Sequence, residues 1–357
     1  MTVKARVALL PPGQQDLHVE TVIMPEPEPW QVLIEQRASG VCHSQLDLIG
    51  NAARSQRLVL GHESSGVVLA VGREVTHVQP GDDVLVTWLP RSVARDRKPI
   101  PSKVPLADGD YAVTHNVFTW ATHTLADEQY VVKAPAGTPG EVGSIIGCAV
   151  MTGAGAVTNR ALVGEGRSVA VWGVGGVGLS TVAAAHNVGA SPVIAVDLDR
   201  GKLELASRLG ADELVDASTT DPVVAVRELS RARDGGEGVD FAFDCTGRPD
   251  CVRQCIDAAR RGVPGGNAGG TAVLVGAPRV PFEIDGMDIL SGEKHLVGTF
   301  GGGCVPERDF PTFVAWYRDG RLDLNALVTD RYPLERVNEA VQDLRAGHIR
   351  GRAIFEF

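Results

Sequence analysis

The sequence predicts a two-domain α/β protein that combines a doubly wound parallel sheet with a β-rich domain. The chain has 357 residues, and this length exceeds what one typical core organises. Between residues 169 and 275, short apolar strands alternate with segments of helical spacing. Such alternation predicts a parallel sheet with right-handed crossovers. Residues 1 to about 135 instead carry short β-type runs separated by Gly, Pro and Asp turns, which predicts a β-rich fold for that part.

The individual elements follow from local periodicity and turn residues. Strands are predicted at 32–34, 65–72, 83–86, 169–172, 193–196, 241–243, 272–275 and 352–357. Helices are predicted at 179–188, 202–209, 310–319 and 334–346. Residues 91–110 are polar and rich in proline, and no periodicity there indicates a helix or a strand.

Composition excludes several classes of partner. The chain carries 34 basic and 44 acidic residues, a formal net charge of −10, which argues against nucleic acid or an anionic membrane. The uncharged run 168–185 contains a tight glycine cluster, so it favours a strand, a turn and a helix over a membrane span. The N-terminal residues lack a signal-peptide apolar region, and six cysteines are too few for a disulfide framework. We expect a cytoplasmic protein with a small-molecule substrate, no nucleic-acid partner and no membrane association.

A glycine-rich turn directly follows the predicted strand at 169–172. Residues 173–178 match the pattern G-x-G-x-x-G, and a helical pattern follows. These glycines allow a tight bend and close approach of a pyrophosphate, which the unpaired N–H groups of the helix N-terminus then face. The turn therefore predicts a Rossmann dinucleotide-binding domain, whose cofactor-binding residues are Gly173, Gly175, Gly176, Gly178, Asp197 and Lys202.

Asp197 predicts which dinucleotide is bound. It ends the strand that follows the glycine turn, where a carboxylate can accept both hydroxyls of the adenosine ribose and repels a 2′-phosphate. We therefore predict NAD rather than NADP. Arg200 and Lys202 are nearby cations that would soften the preference. A second role for Asp197, as the N-cap of the next helix, stays open.

Three segments carry residue types that bind metals. Cys42 lies within 40–44, His62 precedes Glu63, and Cys148 lies within 147–153. Two thiolates and one imidazole suit zinc and leave a fourth position open for catalysis. Two thiolates also cancel the charge of the dication. A cysteine in an apolar segment is more often a small core residue, so spacing alone leaves both interpretations open.

These motifs, in this order and followed by the glycine turn, resemble those of the zinc-dependent medium-chain alcohol dehydrogenases. Residues 80–84, 244–247 and 351–352 extend the resemblance over essentially the whole chain. The resemblance implies a GroES-like catalytic domain at 1–149 and 302–357 and a Rossmann domain at 150–301. It also implies hydride transfer between NAD(H) and an alcohol/aldehyde or ketone pair, and a homodimer or homotetramer built across 271–299.

For the chemistry, the resemblance implies that Cys42, His62 and Cys148 bind the catalytic zinc. Glu63 would lie close to the metal as an alternate or exchanging ligand. Ser44 would hydrogen-bond the substrate oxygen.

For the cofactor, the resemblance implies that His43 and Arg352 contact the pyrophosphate. Thr152 and Val177 would pack near the nicotinamide. Trp88 falls where a residue of the substrate pocket is expected, and a tryptophan of the core is an equally open interpretation.

The sequence departs from the family pattern in the loop of residues 91–111. Many members carry four closely spaced cysteines there for a structural zinc, and this loop has none. We therefore predict one catalytic zinc per chain and no structural zinc.

Two departures lie beside the first predicted ligand. Gln45 replaces an Asp that supports the histidine ligand, and its carbonyl could accept the imidazole N–H without a charge. Asp47 stands where a relay histidine is usual, and it could take up a proton through Ser44 or be a solvated surface carboxylate. Because both changes alter the usual machinery, an NAD(P)H-dependent reductase of activated C=C or C=N bonds stays the alternative function.

Overall fold

The computed structural model describes residues 3–91, 97–231 and 237–357. The chain forms two compact units. The first unit comprises Met1–Ala149, Val305–Ala315 and Val328–Phe357, and the second comprises Val150–Cys304 and Trp316–Leu327. The division predicted from the sequence, 1–149 with 302–357 and 150–301, therefore differs mainly in where it places residues 316–327.

The strands and helices are numbered in chain order. The strands are β1 (Val3–Leu10), β2 (His18–Met24), β3 (Gln31–Val41), β4 (Leu58–Val59), β5 (Ser64–Val71), β6 (Asp83–Val86), β7 (Lys103–Pro105), β8 (Tyr111–Val113), β9 (His123–Asp127), β10 (Val131–Lys133), β11 (Val169–Trp172), β12 (Val193–Asp197), β13 (Glu213–Asp216), β14 (Phe241–Asp244), β15 (Thr271–Leu274), β16 (His295–Gly298), β17 (Val328–Pro333) and β18 (Arg352–Glu356). The helices are α1 (Gln45–Gly50), α2 (Gly140–Gly143), α3 (Met151–Gly155), α4 (Gly176–Asn187), α5 (Arg200–Arg208), α6 (Pro222–Ser230), α7 (Pro249–Ala258), α8 (Gly286–Ser291), α9 (Pro306–Arg318), α10 (Leu324–Leu327) and α11 (Val337–Ala346).

The first unit contains two sheets among its described residues. One has the strand order β2-β1-β4-β8-β7, and the other has the order β10-β6-β5-β3-β18-β17, with β9 also paired to β3. Strand β3 lies at the centre of the second sheet and is buried at most positions. The last strand, β18, runs antiparallel to β3 and pairs Ala353 with Val41. This register brings the end of the chain beside Cys42.

The second unit is built on one parallel sheet. Its strand order among the described residues is β13-β12-β11-β14-β15-β16, and each neighbouring pair is parallel. The central strand β11 is buried throughout, as expected for a strand covered on both faces. The strand order reverses at β11, between β12 and β14, and ligands of such sheets bind at the carboxyl ends of the strands around this point.

Most predicted elements occur close to the expected positions. Strands β6 and β11 have the predicted limits, and α4 begins three residues before the predicted helix at 179–188. The run 168–185 accordingly forms a strand, a turn and a helix, as predicted.

The predicted absence of strands from the loop of residues 91–110 is wrong. Residues 103–105 form β7, which pairs antiparallel with β8, and Val104 is completely buried there. Pairing with a neighbouring strand and burial of one side chain, rather than local periodicity, make this short strand. Residues 92–96 of the predicted loop lie outside the described residues.

An ion pair fixes the part of this loop that begins at Arg97. The Arg97 guanidinium donates two hydrogen bonds to the Asp127 carboxylate, at 2.6 and 2.8 Å. Asp127 is completely buried and also accepts the backbone N–H groups of Ile100 and Gln129. The same guanidinium lies over the ring of Trp30, 4.7 Å from its centroid. These contacts tie the loop to the end of β9 by charge and stacking.

One helical stretch, Gly140–Arg160, is long and apolar enough to cross a membrane by length and composition alone. However, 83% of its most apolar segment is buried inside the protein, as in the core helix of a globular domain. The stretch contains two π-helical segments, Ile146–Val150 and Ala156–Arg160. The first of these carries Cys148, and π-helical turns of this kind are frequent at functional sites.

Candidate metal centre and dinucleotide site

Four potential metal ligands converge in the first unit. Their ligand atoms all lie within 4.8 Å of one another, and the residues are Cys42, His62, Glu63 and Cys148. The two sulfur atoms are 3.7 Å apart, and His62 Nε2 lies 3.3 Å from Cys148 Sγ. We call these four residues the thiolate site. Their donor set fits zinc, because two sulfurs and one imidazole nitrogen leave room for a fourth, exchangeable ligand.

Two glycines make the convergence possible. Gly61, before His62, has a φ of +88°, and a Cβ there would lie 2.4 Å from Thr119 Oγ1. Gly147, before Cys148, approaches β6 so closely that a Cβ would lie 2.3 Å from the Val86 carbonyl oxygen. The Gly-His and Gly-Cys pairs in the sequence therefore reflect close backbone approach at the site.

The two thiols of the site have opposite acidities. The hydrogen bond with Cys148 lowers the pKa of Cys42 well below that of an ordinary thiol, against burial and with help from the positive charge of Arg352. The same hydrogen bond, together with burial, raises the pKa of Cys148. The contact between the two sulfurs therefore shifts the two pKa values in opposite directions.

A buried ion pair closes one side of the thiolate site. Glu63 is completely buried, and its carboxylate pairs with the Arg352 guanidinium and accepts the backbone N–H of Ala149. Burial raises the pKa of Glu63, and the charge of Arg352 opposes this rise. A Cβ at Gly40 would lie 2.5 Å from the carboxylate, so only glycine leaves it space.

These contacts bear on two predicted roles. The Glu63 carboxylate lies within reach of the other ligands but is held by Arg352. The Arg352 side chain is 7% exposed and pairs with Glu63. The exchange of Glu63 onto a metal and the pyrophosphate contact of Arg352 both stay predictions.

The start of α1 places Ser44 beside the metal ligands. Ser44 occupies the N-cap position of α1, and its hydroxyl donates to Cys42 Sγ at 3.3 Å. Asp47 lies in the first turn of α1, and the side chains of His43 and Asp47 are exposed. The hydroxyl is therefore positioned next to a ligand, while Asp47 is three residues further along the helix.

The predicted contact of Gln45 is wrong in direction. The Gln45 carbonyl oxygen accepts the backbone N–H of Gly61 at 2.9 Å, and its amide nitrogen lies 2.9 Å from His62 Nδ1. The imidazole therefore faces a donor instead of the expected carbonyl. The competing N–H of Gly61 belongs to a residue 16 positions away, so local sequence gives no sign of it.

Trp88 lies beside the thiolate site. Its ring centroid is 6.3 Å from that of His62, with the planes tilted by 59°, and the side chain is half-buried. This position fits a pocket residue better than a residue of the core. Its contact with substrate stays a prediction.

In the second unit, the glycine turn has the form that a dinucleotide requires. Gly173 has a φ of +80°, and a Cβ at Gly178 would lie 2.0 Å from the Gly173 carbonyl oxygen. A Cβ at Gly175 would instead meet open space, and no side chain caps the N-terminus of α4 at this residue. Gly176 is the first residue of the helix. The turn thus offers an accessible helix N-terminus that suits a pyrophosphate.

The carboxylate of Asp197 lies at the end of β12, next to this turn. One oxygen accepts the backbone N–H of Val174 at 2.8 Å, and the other accepts those of Leu198 and Asp199. Asp197 therefore braces the glycine turn from the neighbouring strand. A carboxylate has about four acceptor positions, so these three bonds leave capacity for a ribose hydroxyl.

The cap of α5 belongs to a different residue. Asp199 is the N-cap, and its side chain accepts the backbone N–H of Lys202 at 3.1 Å. The open interpretation of Asp197 as that cap is therefore wrong. Arg200 pairs with Asp216 at 3.1 Å, which draws this cation toward a carboxylate of β13.

The helices that carry Thr152 and Val177 pack together at a glycine. A Cβ at Gly153 would lie 2.3 Å from the Val177 carbonyl oxygen, so α3 packs directly against the first turn of α4. Thr152 and Val177 are both half-buried in the second unit. Their predicted position near a nicotinamide ring is consistent with this packing and stays a prediction.

Comparisons with known proteins agree with this geometry. The family model described as alcohol dehydrogenase GroES-like domain matches residues 28–136, and that described as zinc-binding dehydrogenase matches residues 176–319. The solved structure of an alcohol dehydrogenase zinc-binding domain protein from Burkholderia ambifaria is 30% identical, covers 100% of both chains and has a TM-score of 0.88. Benzyl alcohol dehydrogenase from Acinetobacter calcoaceticus is 30% identical, with 99% of each chain covered and a TM-score of 0.86. Geraniol dehydrogenase of Carpoglyphus lactis is 29% identical over 99% of this chain and 98% of its own.

The chain belongs to the zinc-dependent medium-chain dehydrogenase/reductase family and is an oxidoreductase of the alcohol dehydrogenase type. The predicted fold class, a Rossmann parallel sheet with a β-rich GroES-like domain, is confirmed.

The buried ion pair makes a prediction about stability. Arg352→Met leaves the Glu63 carboxylate buried without its cation, so we expect the free energy of unfolding to fall by about 3–5 kcal/mol. The double variant Glu63→Gln/Arg352→Met should recover much of this loss. Urea unfolding of the zinc-free protein measures the effect.

The matched control is Arg331→Met, which removes a partly exposed ion pair with Glu141. This change should cost about 1 kcal/mol or less. If Arg331→Met and Arg352→Met lowered the free energy of unfolding equally, burial would not be the reason that loss of Arg352 is costly.

Proposed function

We propose that the protein is an NAD-dependent zinc enzyme that interconverts an alcohol and its aldehyde or ketone. The observation that carries the proposal is the convergence of Cys42, His62 and Cys148 with the Ser44 hydroxyl next to them. When bound, zinc supplies a Lewis acid for the substrate oxygen and the nicotinamide accepts or donates the hydride.

The residues of this chain supply binding, charge balance and a proton acceptor. The thiolates of Cys42 and Cys148 and the imidazole of His62 would hold the metal. Two thiolates cancel its charge, which lowers the cost of placing it in a largely buried site. The Ser44 hydroxyl lies 3.3 Å from Cys42 Sγ, where it would receive the proton of the substrate hydroxyl and pass it on toward Asp47.

The relatives suggest the substrate class. Benzyl alcohol dehydrogenase and geraniol dehydrogenase are named for alcohols whose carbinol carbon adjoins an unsaturated group. Trp88, beside His62, offers an aromatic surface that suits such substrates. Reduction of activated C=C or C=N bonds is the second candidate, but only Gln45 and Asp47 favour it, and these relatives do not.

The metal content tests the site. We expect about one zinc per chain, and Cys148→Ala should lose both the zinc and the oxidation of benzyl alcohol or geraniol, followed by NADH absorbance. Cys251→Ala is the control, because this half-buried thiol of α7 lies in the second unit, and it should keep both. Two tightly bound zincs per chain would refute the predicted lack of a structural zinc. Turnover of conjugated carbonyls without any alcohol oxidation would favour the second candidate.

The proton route makes a separate prediction. Asp47→Asn should lower alcohol oxidation about 10²-fold at low pH, because hydroxide cannot replace the lost base there, and the loss should shrink as the pH rises. Zinc content and NAD affinity should not change. The measurement is the pH profile of kcat.

Two outcomes would change this account. An unaltered profile for Asp47→Asn, with turnover abolished by Ser44→Ala, would make Asp47 a bystander. A silent Ser44→Ala would count against alcohol chemistry itself.

The preference for NAD rests on Asp197. Its carboxylate stands at the end of β12 beside the glycine turn, where it would bind the ribose and repel a 2′-phosphate. Arg200, one of the two nearby cations that could offset this repulsion, pairs with Asp216 instead.

Asp197→Asn tests this preference. The amide removes the charge. Its NH2 group also gives up one acceptor of the backbone N–H groups, a loss common to both cofactors, so the ratio of kcat/KM for NAD over NADP should still fall about tenfold or more. Asp199→Asn, a matched change at the neighbouring helix cap, should leave the ratio within about twofold. A wild-type enzyme with the larger kcat/KM for NADP would show that this role of Asp197 is wrong.

A further inference from the structure

The two ends of the Gln45 amide face two different groups, the backbone N–H of Gly61 and Nδ1 of His62. The Gly61 backbone N–H can only donate, and it lies 2.9 Å from one end of the amide in a buried setting. That end must therefore be the oxygen. The other end, the NH2 group, consequently faces His62 Nδ1 at 2.9 Å. Gln45 is only 4% exposed, so water does not replace either contact.

This orientation determines where His62 carries its proton. An NH2 group donates only, so Nδ1 must accept, and a neutral imidazole then holds its one proton on Nε2. Nε2 lies 3.3 Å from Cys148 Sγ. The donors thus run in one direction, from Gly61 through Gln45 and His62 to Cys148.

A metal on Nε2 reverses the requirement at Nδ1. A neutral imidazole that binds zinc through Nε2 carries its proton on Nδ1 and needs an acceptor there. With Gln45 as it stands, two donors would face each other. If the amide turned over, the buried N–H of Gly61 would lose its acceptor. One amide cannot serve both neighbours in this arrangement, and either choice has a cost.

We propose that Gln45 is a positioning residue that holds His62 in the Nε2-protonated form and thereby makes the zinc of the thiolate site weakly held and readily exchanged. The proposal rests on the zinc site of the proposed function. It assigns to Gln45 a role opposite to that of a supporting acceptor.

Gln45→Glu is the sharpest test, because a carboxylate of the same shape presents an oxygen to both Gly61 and His62. We expect zinc affinity, measured by competition with a chromogenic chelator, to rise about tenfold or more, and zinc release to the chelator to slow. Asn51→Asp is the matched control, since it adds the same charge just after α1 at an exposed residue whose side-chain oxygen accepts the Ala53 N–H. It should leave zinc affinity within about twofold.

A second measurement needs no variant and no zinc. Long-range ¹⁵N–¹H correlation spectra distinguish the two neutral tautomers of histidine, and His62→Gln identifies the signals. We expect the Nε2-protonated form in the zinc-free wild-type protein and the Nδ1-protonated form in Gln45→Glu. This readout separates hydrogen-bond direction from the added charge.

The outcomes separate the two proposals. An Nδ1-protonated His62 in the zinc-free wild type, or equal zinc affinity of wild type and Gln45→Glu, overturns the role of Gln45 and leaves the proposed function standing. If neither the wild type nor Gln45→Glu binds zinc, both the proposed function and the proposed effect of Gln45 on zinc exchange are overturned. Thermal unfolding of Gln45→Glu checks that the variant is folded.

Discussion

The antiparallel pairing of β18 with β3 is the constraint on which the thiolate site depends. It pairs Ala353 with Val41, so Arg352 arrives next to Cys42 although the two residues are far apart in the sequence. A buried guanidinium at this point neutralises Glu63 and helps to lower the pKa of Cys42. Without that strand, a carboxylate and two thiols would share a buried space with no cation, a costly arrangement.

Close backbone approaches then determine which residues can surround the site. Gly40 leaves space for the Glu63 carboxylate, Gly61 for Thr119, and Gly147 for the carbonyl of Val86. Each glycine stands beside, or just before, a residue that carries chemistry. The backbone segments around the site are therefore packed closely against one another, and a side chain at any of these three positions would push them apart.

In each unit, one polar side chain contacts two functional neighbours at once. In the second unit, β11 lies where the strand order reverses, and Asp197 on the next strand braces the glycine turn through the Val174 N–H. One carboxylate therefore supports the turn and still has acceptor capacity to spare. In the first unit, the Gln45 amide contacts both the Gly61 backbone N–H and His62 Nδ1. Because its oxygen accepts from Gly61, a metal-bound His62 that needs an acceptor at Nδ1 would meet the NH2 group instead.

The sequence by itself determined the parallel sheet and the glycine turn, because these depend on local periodicity and turn residues. It named the residues that meet at the thiolate site only through the resemblance to a known family, because their spacing alone left a core role equally open. The limits of β6 and β11 follow from short apolar runs bounded by turns. Only the tertiary structure decided the partners of side chains that are distant in sequence. It paired Glu63 with Arg352, gave the cap of α5 to Asp199, and formed β7 where periodicity predicted none. It also gave the Gln45 carbonyl to Gly61 instead of His62. The reason is physical: a hydrogen bond or an ion pair between distant residues depends on strand register and backbone position, which no local pattern encodes.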